Sequence, residues 1–296
     1  MENLTIKQLR YFEAVALHGH FGRAAEACAI SQPAISVQIR ELEETLGQLL
    51  FERHARHIRL TSFGEDFAAR VRPILRSIDD LSDLARASHA GLVGKLRLGV
   101  IPTVGPYLLP RIVTDLNATY PGLDLRIRET QTEALIADLL LGQLDVALVA
   151  LPISEPGLVE VPLFDERFVL VRQLGDAAKP VPSSETLAKM RLLLLEEGHC
   201  FRDQALAFCG TPSSLPRESM EGSSLSTLVQ MVASGLGVTL IPEMAVALET
   251  RSADVSVAQF GRPHPTRTIG MVWRESTPLA DRLGDLAERV KQTVAS

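Results

Sequence analysis

The chain has 296 residues, a net charge of −6 and 46% hydrophobic residues, enough apolar material for two or three packed domains. Three cysteines are too few for a secreted disulfide framework. The longest apolar run, near 146–153, is far short of the roughly 20 residues that cross a bilayer. The N-terminus lacks the basic and apolar tract of an export signal, so the expectation is a soluble, cytoplasmic protein with no membrane partner.

Residues 4–61 read as a helix-turn-helix with a wing. A first helix is predicted from about Thr5 to Leu17, with Leu9, Phe12 and Ala16 on one face and Gly19 as its stop. A second covers Phe21 to Ala27. Cys28, beside Ala24, Ala25 and Ala27, reads as a packed position. A third helix starts from Ser31 as N-cap, tolerates Pro33 in its first turn and ends at Gly47. Ile35, Ile39, Leu42 and Leu46 form its core stripe. Gln32, Pro33, Ser36, Val37 and Arg40 lie on the other side, which is small and polar near the helix start. Such a face fits the DNA major groove, where Gln and Arg pair with adenine and guanine edges. A two-strand wing from Leu49 to Leu60 carries Arg53, Arg56 and Arg59, natural partners of backbone phosphates. Acidic and basic residues balance over 1–61, so the positive charge is local and the same face also fits an ordinary solvated surface.

Thr61 or Ser62 caps a long helix, Glu65 standing at capping-box spacing from Ser62. Phe67, Val71, Ile74, Ile78, Leu81 and Ala85 repeat in alternating steps of four and three, the pattern of a seam against a partner helix. This favours a homodimer over packing on its own domain. Pro73 removes one helical hydrogen bond near Ala69. Residues 62–92 therefore form a linker and dimerisation segment.

From Lys95 the pattern alternates. Strands are predicted at Leu96–Ile101, Leu123–Arg128, Val146–Ala150, Phe168–Val171, Leu192–Leu195, Val238–Ile241 and Thr268–Trp273. Helices fall near Pro106–Thr119, Thr132–Leu141, Ser224–Ser234 and Ala280–Val294. This alternation predicts an α/β unit with mostly parallel strands and a ligand crevice at their C-terminal ends.

Cys200 and Cys209 stand nine positions apart around a stretch, Asp203–Phe208, that reads as helical. On an unbroken helix that separation is about 13.5 Å and places the side chains on opposite faces, whereas a disulfide needs Cα atoms within roughly 7 Å. Bonding requires the segment to refold, which makes the pair a candidate redox switch. His199, Arg202 and the helix start are placed to favour a Cys200 thiolate. Cys209, at the helix end beside Ala207 and Phe208, is the candidate resolving thiol. Closing so short a loop constrains the chain by roughly 2–3 kcal/mol. The alternative is two buried structural thiols. Zinc does not use this spacing, and no metal or cofactor is expected.

The N-terminal residues carry a family resemblance. Leu9-Arg10-Tyr11-Phe12, Phe21, Ala24-Ala25, Ser31-Gln32-Pro33-Ala34-Ile35-Ser36, Leu42-Glu43, Leu46-Gly47, Leu50-Phe51-Glu52-Arg53 and Leu60-Thr61 with Gly64 resemble the LysR-type transcriptional regulators. Gly99 through Pro110, Val161 through Glu166, Gly198 through Cys209 and Arg267 through Gly270 resemble their hydrogen-peroxide-sensing OxyR subfamily. The resemblance implies double-stranded operator DNA as partner, a homotetramer, contact with RNA polymerase, and resetting by a cellular thiol reductant. It also implies an effector domain over 93–296 of periplasmic-binding-protein type. Its two subdomains would cover about 93–164 plus 269–296 and about 165–268.

The same resemblance implies a peroxide site. Cys200 becomes the peroxidatic and Cys209 the resolving residue. Thr103 and Thr132 become hydroxyl donors, and His199, Asp203 and Arg267 the polar groups that hold peroxide and favour the thiolate. On the residues alone, the threonines also read as helix caps, Asp203 as a first-turn charge and Arg267 as a surface cation. Two other readings stand beside this one: a metabolite-sensing LysR-type regulator with incidental cysteines, and a thiol peroxidase. The enzyme reading finds no support in a Ser/His/Asp order, P-loop or nucleotide signature.

Overall fold

The computed structural model describes residues 4–53, 58–87, 92–210, 220–262 and 264–295. The chain forms two compact units, residues 1–85 and 86–296.

The first unit comprises α1 (Ile6–His18), α2 (Phe21–Ala27), α3 (Gln32–Leu46), a hairpin of β1 (Phe51–Arg53) and β2 (Ile58–Leu60), and most of α4 (Ser62–Ala87). Its helix ends follow local chemistry. Thr5 closes a reciprocal capping box with Gln8, and Ser31 caps α3. Gly19 and Gly47, both left-handed, end α1 and α3. Thr61 caps α4, its hydroxyl accepting from the Gly64 amide at 2.9 Å, which resolves the choice between Thr61 and Ser62. Gly64 must be glycine, because a Cβ there would stand 2.2 Å from the Leu50 carbonyl. Phe12 lies 5.4 Å from the Phe51 ring and 5.0 Å from that of Phe67, joining α1, the wing and α4 in one core.

That core divides the proposed seam of α4. Phe67, Val71 and Ile78 pack inward with Ala68 and Leu75, while Ile74 and Leu81 are 50% and 67% exposed. The helix is thus not a free coiled-coil strand along its whole length: residues as far as Ile78 complete the helix-turn-helix core. Ion pairs Arg10–Asp79 at 2.6 Å and Arg72–Glu13 at 3.1 Å tie it to α1. The side chain of Ala85 lies outside the described residues.

The second unit runs β3 (Gly94–Val100), α5 (Gly105–Thr119), β4 (Leu123–Glu129), α6 (Thr132–Leu140), β5 (Val146–Leu151), β6 (Leu158–Gln173), α7 (Ser184–Leu187), β7 (Leu194–Leu195), α8 (Cys200–Phe208), β8 (Glu221–Gly222), α9 (Leu225–Ala233), β9 (Thr239–Pro242), α10 (Val246–Glu249), β10 (Val255–Gln259), β11 (Thr266–Arg274) and α11 (Ala280–Ala295). Two hydrophobic cores result. One gathers β3, β5 and β11 with α5, α6 and α11; the other gathers the C-terminal half of β6 with β9, α8 and α9.

The strands are mixed rather than mostly parallel. β3 pairs in parallel with β4 and β5, and β7 with β8. β6 and β11, the two long strands, are antiparallel to each other and to every other partner. The cause is that β6 serves both cores: residues 158–167 pair with β11, and residues 168–173 with β9 and β10. Sequence patterning locates only the buried half of β6. The first half is partly exposed and holds Pro162, which sits opposite Gly270 where the register shifts. A proline is tolerated at such an irregularity.

Glu43 is buried on α3 and accepts hydrogen bonds from the Leu50 and Phe51 amides at 2.9 and 3.3 Å. It fixes the start of the wing to the recognition-type helix. Glu43→Ala leaves both amides without that acceptor and is predicted to destabilise the first unit by about 1–3 kcal/mol, read as a lower denaturation midpoint in urea.

Candidate functional site

The local sequence fixes where α8 begins. Gly198 has φ +90°, a left-handed conformation that favours glycine, and the end of the Gln131 side chain lies over the space a Cβ would take. His199 follows in an extended conformation as N-cap. Cys200 is therefore the first residue of α8, three positions earlier than the polar pattern from Asp203 suggests. Its thiol lies in the first turn, where the helix dipole favours negative charge. Cys209 is the C-cap.

The two thiols face different cores. Cys200 is half-buried and packs on the side of β3, β5 and α6, whereas Cys209 is buried within the core of β6, α8 and α9. All three cysteines are in the thiol state. Burial pushes the Cys28 thiol pKa up, away from reactivity.

Cys200, His199, Thr103 and Thr132 line one tight niche of about 170 Å³, closed by Gly198, Phe201 and Gln131. On its outer side Cys200 and Thr132 also border a wider cleft of about 1200 Å³, together with Asp203 and Gln204. The Thr132 hydroxyl oxygen and the Gln204 amide oxygen are buried without a hydrogen-bond partner. Buried polar atoms of this kind call for a ligand or water. His199 is buried, and loss of hydration lowers its pKa, with Glu196 opposing.

Behind the niche lies a buried ion pair. Arg267 on β11 and Glu166 on β6 face each other across the ladder, with Nε and Nη2 at 2.8 and 2.7 Å from one carboxylate oxygen. Nη1 donates to the Thr103 hydroxyl at 2.8 Å and Nη2 to the Thr103 carbonyl at 2.9 Å. The guanidinium carbon lies 5.3 Å from the centre of the Phe201 ring. Burial pushes the Glu166 carboxyl pKa up, while Arg267 and the Met244 amide pull against it.

The structure places the remaining sequence-derived residues differently. Arg202 lines neither the niche nor the cleft; its guanidinium binds the Leu195 carbonyl and Glu221 at 2.8 and 2.7 Å. Arg267 is no surface cation and reaches the niche through Thr103. Asp203 is exposed on the cleft rim rather than in the niche. Gln131, Phe201 and Glu166 were not singled out by sequence, although the position of Glu166 opposite Arg267 follows once the strands are paired.

In the first unit, Gln32, Pro33, Val37 and Arg40 are exposed along one side of α3, and Ser36 is half-buried beside them. Arg59 is exposed on β2. Arg56 and the side chain of Arg53 lie outside the described residues.

Comparison with known proteins follows these two units. Residues 6–65 match the model of bacterial regulatory helix-turn-helix proteins of the lysR family, and residues 89–295 match the LysR substrate binding domain. The chain is 44% identical over 98% of its length to a probable hydrogen peroxide-inducible genes activator of Streptomyces viridosporus, covering 94% of that protein. It is 40% identical over 97% of its length to the DNA-binding transcriptional dual regulator OxyR of Escherichia coli K12, covering 95% of it. A full-length OxyR variant from Pseudomonas aeruginosa superimposes with a TM-score of 0.79 at 39% identity, covering 98% of this chain and 96% of the other. A peroxide-bound OxyR variant from Corynebacterium glutamicum does so with a TM-score of 0.68 at 34% identity, covering 99% and 93%. The chain belongs to the LysR family of bacterial helix-turn-helix regulators and, within it, to the OxyR group.

Two predictions arise from the site. Arg267→Met leaves the Glu166 carboxylate buried without its counter-charge and is predicted to cost roughly 3–5 kcal/mol, measured by chemical denaturation. Burial holds His199 neutral, so between its lowered pKa and the ordinary 6.5 the unfolded chain binds more protons than the folded one. Stability is therefore undiminished above pH 6.5 and falls as pH drops below it. A thermal melt series from pH 7.5 to 5.5 should show this decline, and His199→Gln should flatten it.

Proposed function

We propose that the chain is a DNA-binding transcriptional regulator whose activity is set by hydrogen peroxide through a reversible Cys200–Cys209 disulfide. The observation that carries this reading is the setting of Cys200: first residue of a helix, in a niche with Thr103, Thr132 and His199, nine positions from a second thiol in another core. The Cys200 thiolate attacks one peroxide oxygen; the O–O bond breaks, and the sulfenic acid and water form. Cys209 then attacks the sulfenyl sulfur, the S–S bond forms, and a second water leaves. Thr103 and Thr132 supply hydroxyls to the peroxide, and neutral His199 supplies a ring nitrogen. Arg267 acts through Thr103, fixing it for this task.

The disulfide requires α8 to open, because its two ends are about 13.5 Å apart as a helix. Opening draws Cys209 out of one core or Cys200 off the other. We take this repacking as the signal that alters the assembly on DNA. Gln32, Pro33, Ser36, Val37 and Arg40 meet base edges, and Arg53, Arg56 and Arg59 meet phosphates. Exposed Ile74 and Leu81 of α4 fit a dimer contact, and two such dimers would make the tetramer that this reading includes. Oxidative-stress defence genes as targets, RNA polymerase as partner, a thiol reductant as resetting agent and a cytoplasmic location complete the reading. The protein is a regulator rather than an enzyme: one peroxide is consumed per switching event.

The test combines a stoichiometric peroxide titration, non-reducing peptide mapping and DNA footprints of both forms. Wild type should form one Cys200–Cys209 disulfide per equivalent of peroxide and shift its footprint. Cys200→Ser should bind DNA and lose the response; Cys209→Ser should stop at a sulfenic acid that a 1,3-diketone probe captures. A Cys200→Ser variant that still responds would refute the mechanism, and many peroxide equivalents consumed per chain would favour a thiol peroxidase.

A further inference from the structure

The niche around Cys200 is tight, about 170 Å³, yet Cys200 also borders a cleft of about 1200 Å³, far more space than peroxide needs. The cleft floor is aliphatic, formed by Ile136, Leu140 and Ile153. Its rim carries Glu133, Glu155 and Asp203, which repel a carboxylate-bearing ligand. At the wall beside Cys200 stand the two buried polar atoms that lack partners, Thr132 Oγ1 and Gln204 Oε1. Gln204 Oε1 is an acceptor only, and Thr132 supplies one hydroxyl proton. An aliphatic trough ending in a nucleophilic sulfur, one acceptor and one donor describes a particular ligand chemistry.

We propose that this cleft admits uncharged alkyl hydroperoxides as a second class of oxidant, a proposal that rests on Cys200 being the peroxidatic thiol. The alkyl chain lies on Ile136 and Leu140. The terminal O–H donates to Gln204 Oε1, and the alkyl-bearing oxygen accepts from the Thr132 hydroxyl. The Cys200 thiolate attacks the terminal oxygen. The S–O bond forms as the O–O bond breaks, giving the Cys200 sulfenic acid and an alkoxide that leaves as the alcohol after taking a proton. Cys209 then closes the disulfide with loss of water, as it does after hydrogen peroxide. Hydrogen peroxide has no alkyl chain and gains nothing from the trough.

The experiment measures the rate of Cys200–Cys209 disulfide formation, by quenched-flow alkylation and peptide mapping, with hydrogen peroxide and with methyl, propyl and pentyl hydroperoxides. In wild type the rate should rise with chain length, by about tenfold from methyl to pentyl, for methylenes partly buried on the trough. Ala137→Trp, at an exposed position of α6 that borders the cleft, should abolish that rise and leave the hydrogen-peroxide rate within about twofold. Gln204→Leu should slow the alkyl hydroperoxides and preserve the trough. A rate independent of chain length in wild type, or a chain-length effect untouched by Ala137→Trp, would overturn the proposal while the hydrogen-peroxide switch stands. Failure of hydrogen peroxide itself to oxidise Cys200 would overturn the switch and this proposal together.

Discussion

One guanidinium organises the effector unit. Arg267 of β11 pairs with Glu166 on β6, the strand that serves both cores. The same group holds Thr103 at the end of β3 and lies against the Phe201 ring at the start of α8. Without it, a carboxylate would sit uncompensated in the interior, and the threonine and helix that flank Cys200 would lose a common anchor. The pair is costly to bury. Two hydrogen bonds to Thr103 and one from the Met244 amide offset part of that cost by satisfying the remaining polar atoms. The niche around Cys200 thus depends on an ion pair that does not line it.

α8 is the element this anchor holds in place. It is short; Cys200 packs against one core, whereas its buried residues from Phe201 to Cys209 belong to the other. Phe201 packs edge-on to Phe168 at 4.8 Å, and Phe208 to Phe260 at 5.0 Å, so each end is pinned by an aromatic contact as well as by a cysteine. Breaking the helix therefore disturbs packing at two places at once. A bond between Cys200 and Cys209, as proposed, would draw on both clusters, and interiors that are close-packed respond by switching between discrete arrangements.

Much of this was legible in the sequence. The helix-turn-helix was readable because its helices carry strong end signals at Thr5, Gly19, Ser31 and Gly47, each matched by its cap geometry. The cysteine separation also needed only helical arithmetic. Three features were hidden. The seam of α4 does not distinguish a partner's core from its own domain's, and Phe67 and Val71 turned out to serve the latter. The first half of β6 escaped notice because it alternates poorly and contains Pro162. Arg202 reads as a charge beside the cysteine and Arg267, far from it in sequence, as a surface cation. Only the strand register buries one beside Glu166, while the other bonds Glu221 at a distance from the thiol.

α4 carries a mechanical consequence. Thr61 leads straight from the wing into the helix, and Phe12, Phe67 and the Arg10–Asp79 bridge weld its first two-thirds to the body that presents α3. A rod of 26 residues is about 39 Å long. Swinging it by about 10° sweeps its far tip through about 7 Å on that length, and the reading head of the protein turns through the same angle. Because one core holds both helices, α4 and α3 tilt together, and Pro73 is the place within the helix where part of that tilt can be absorbed.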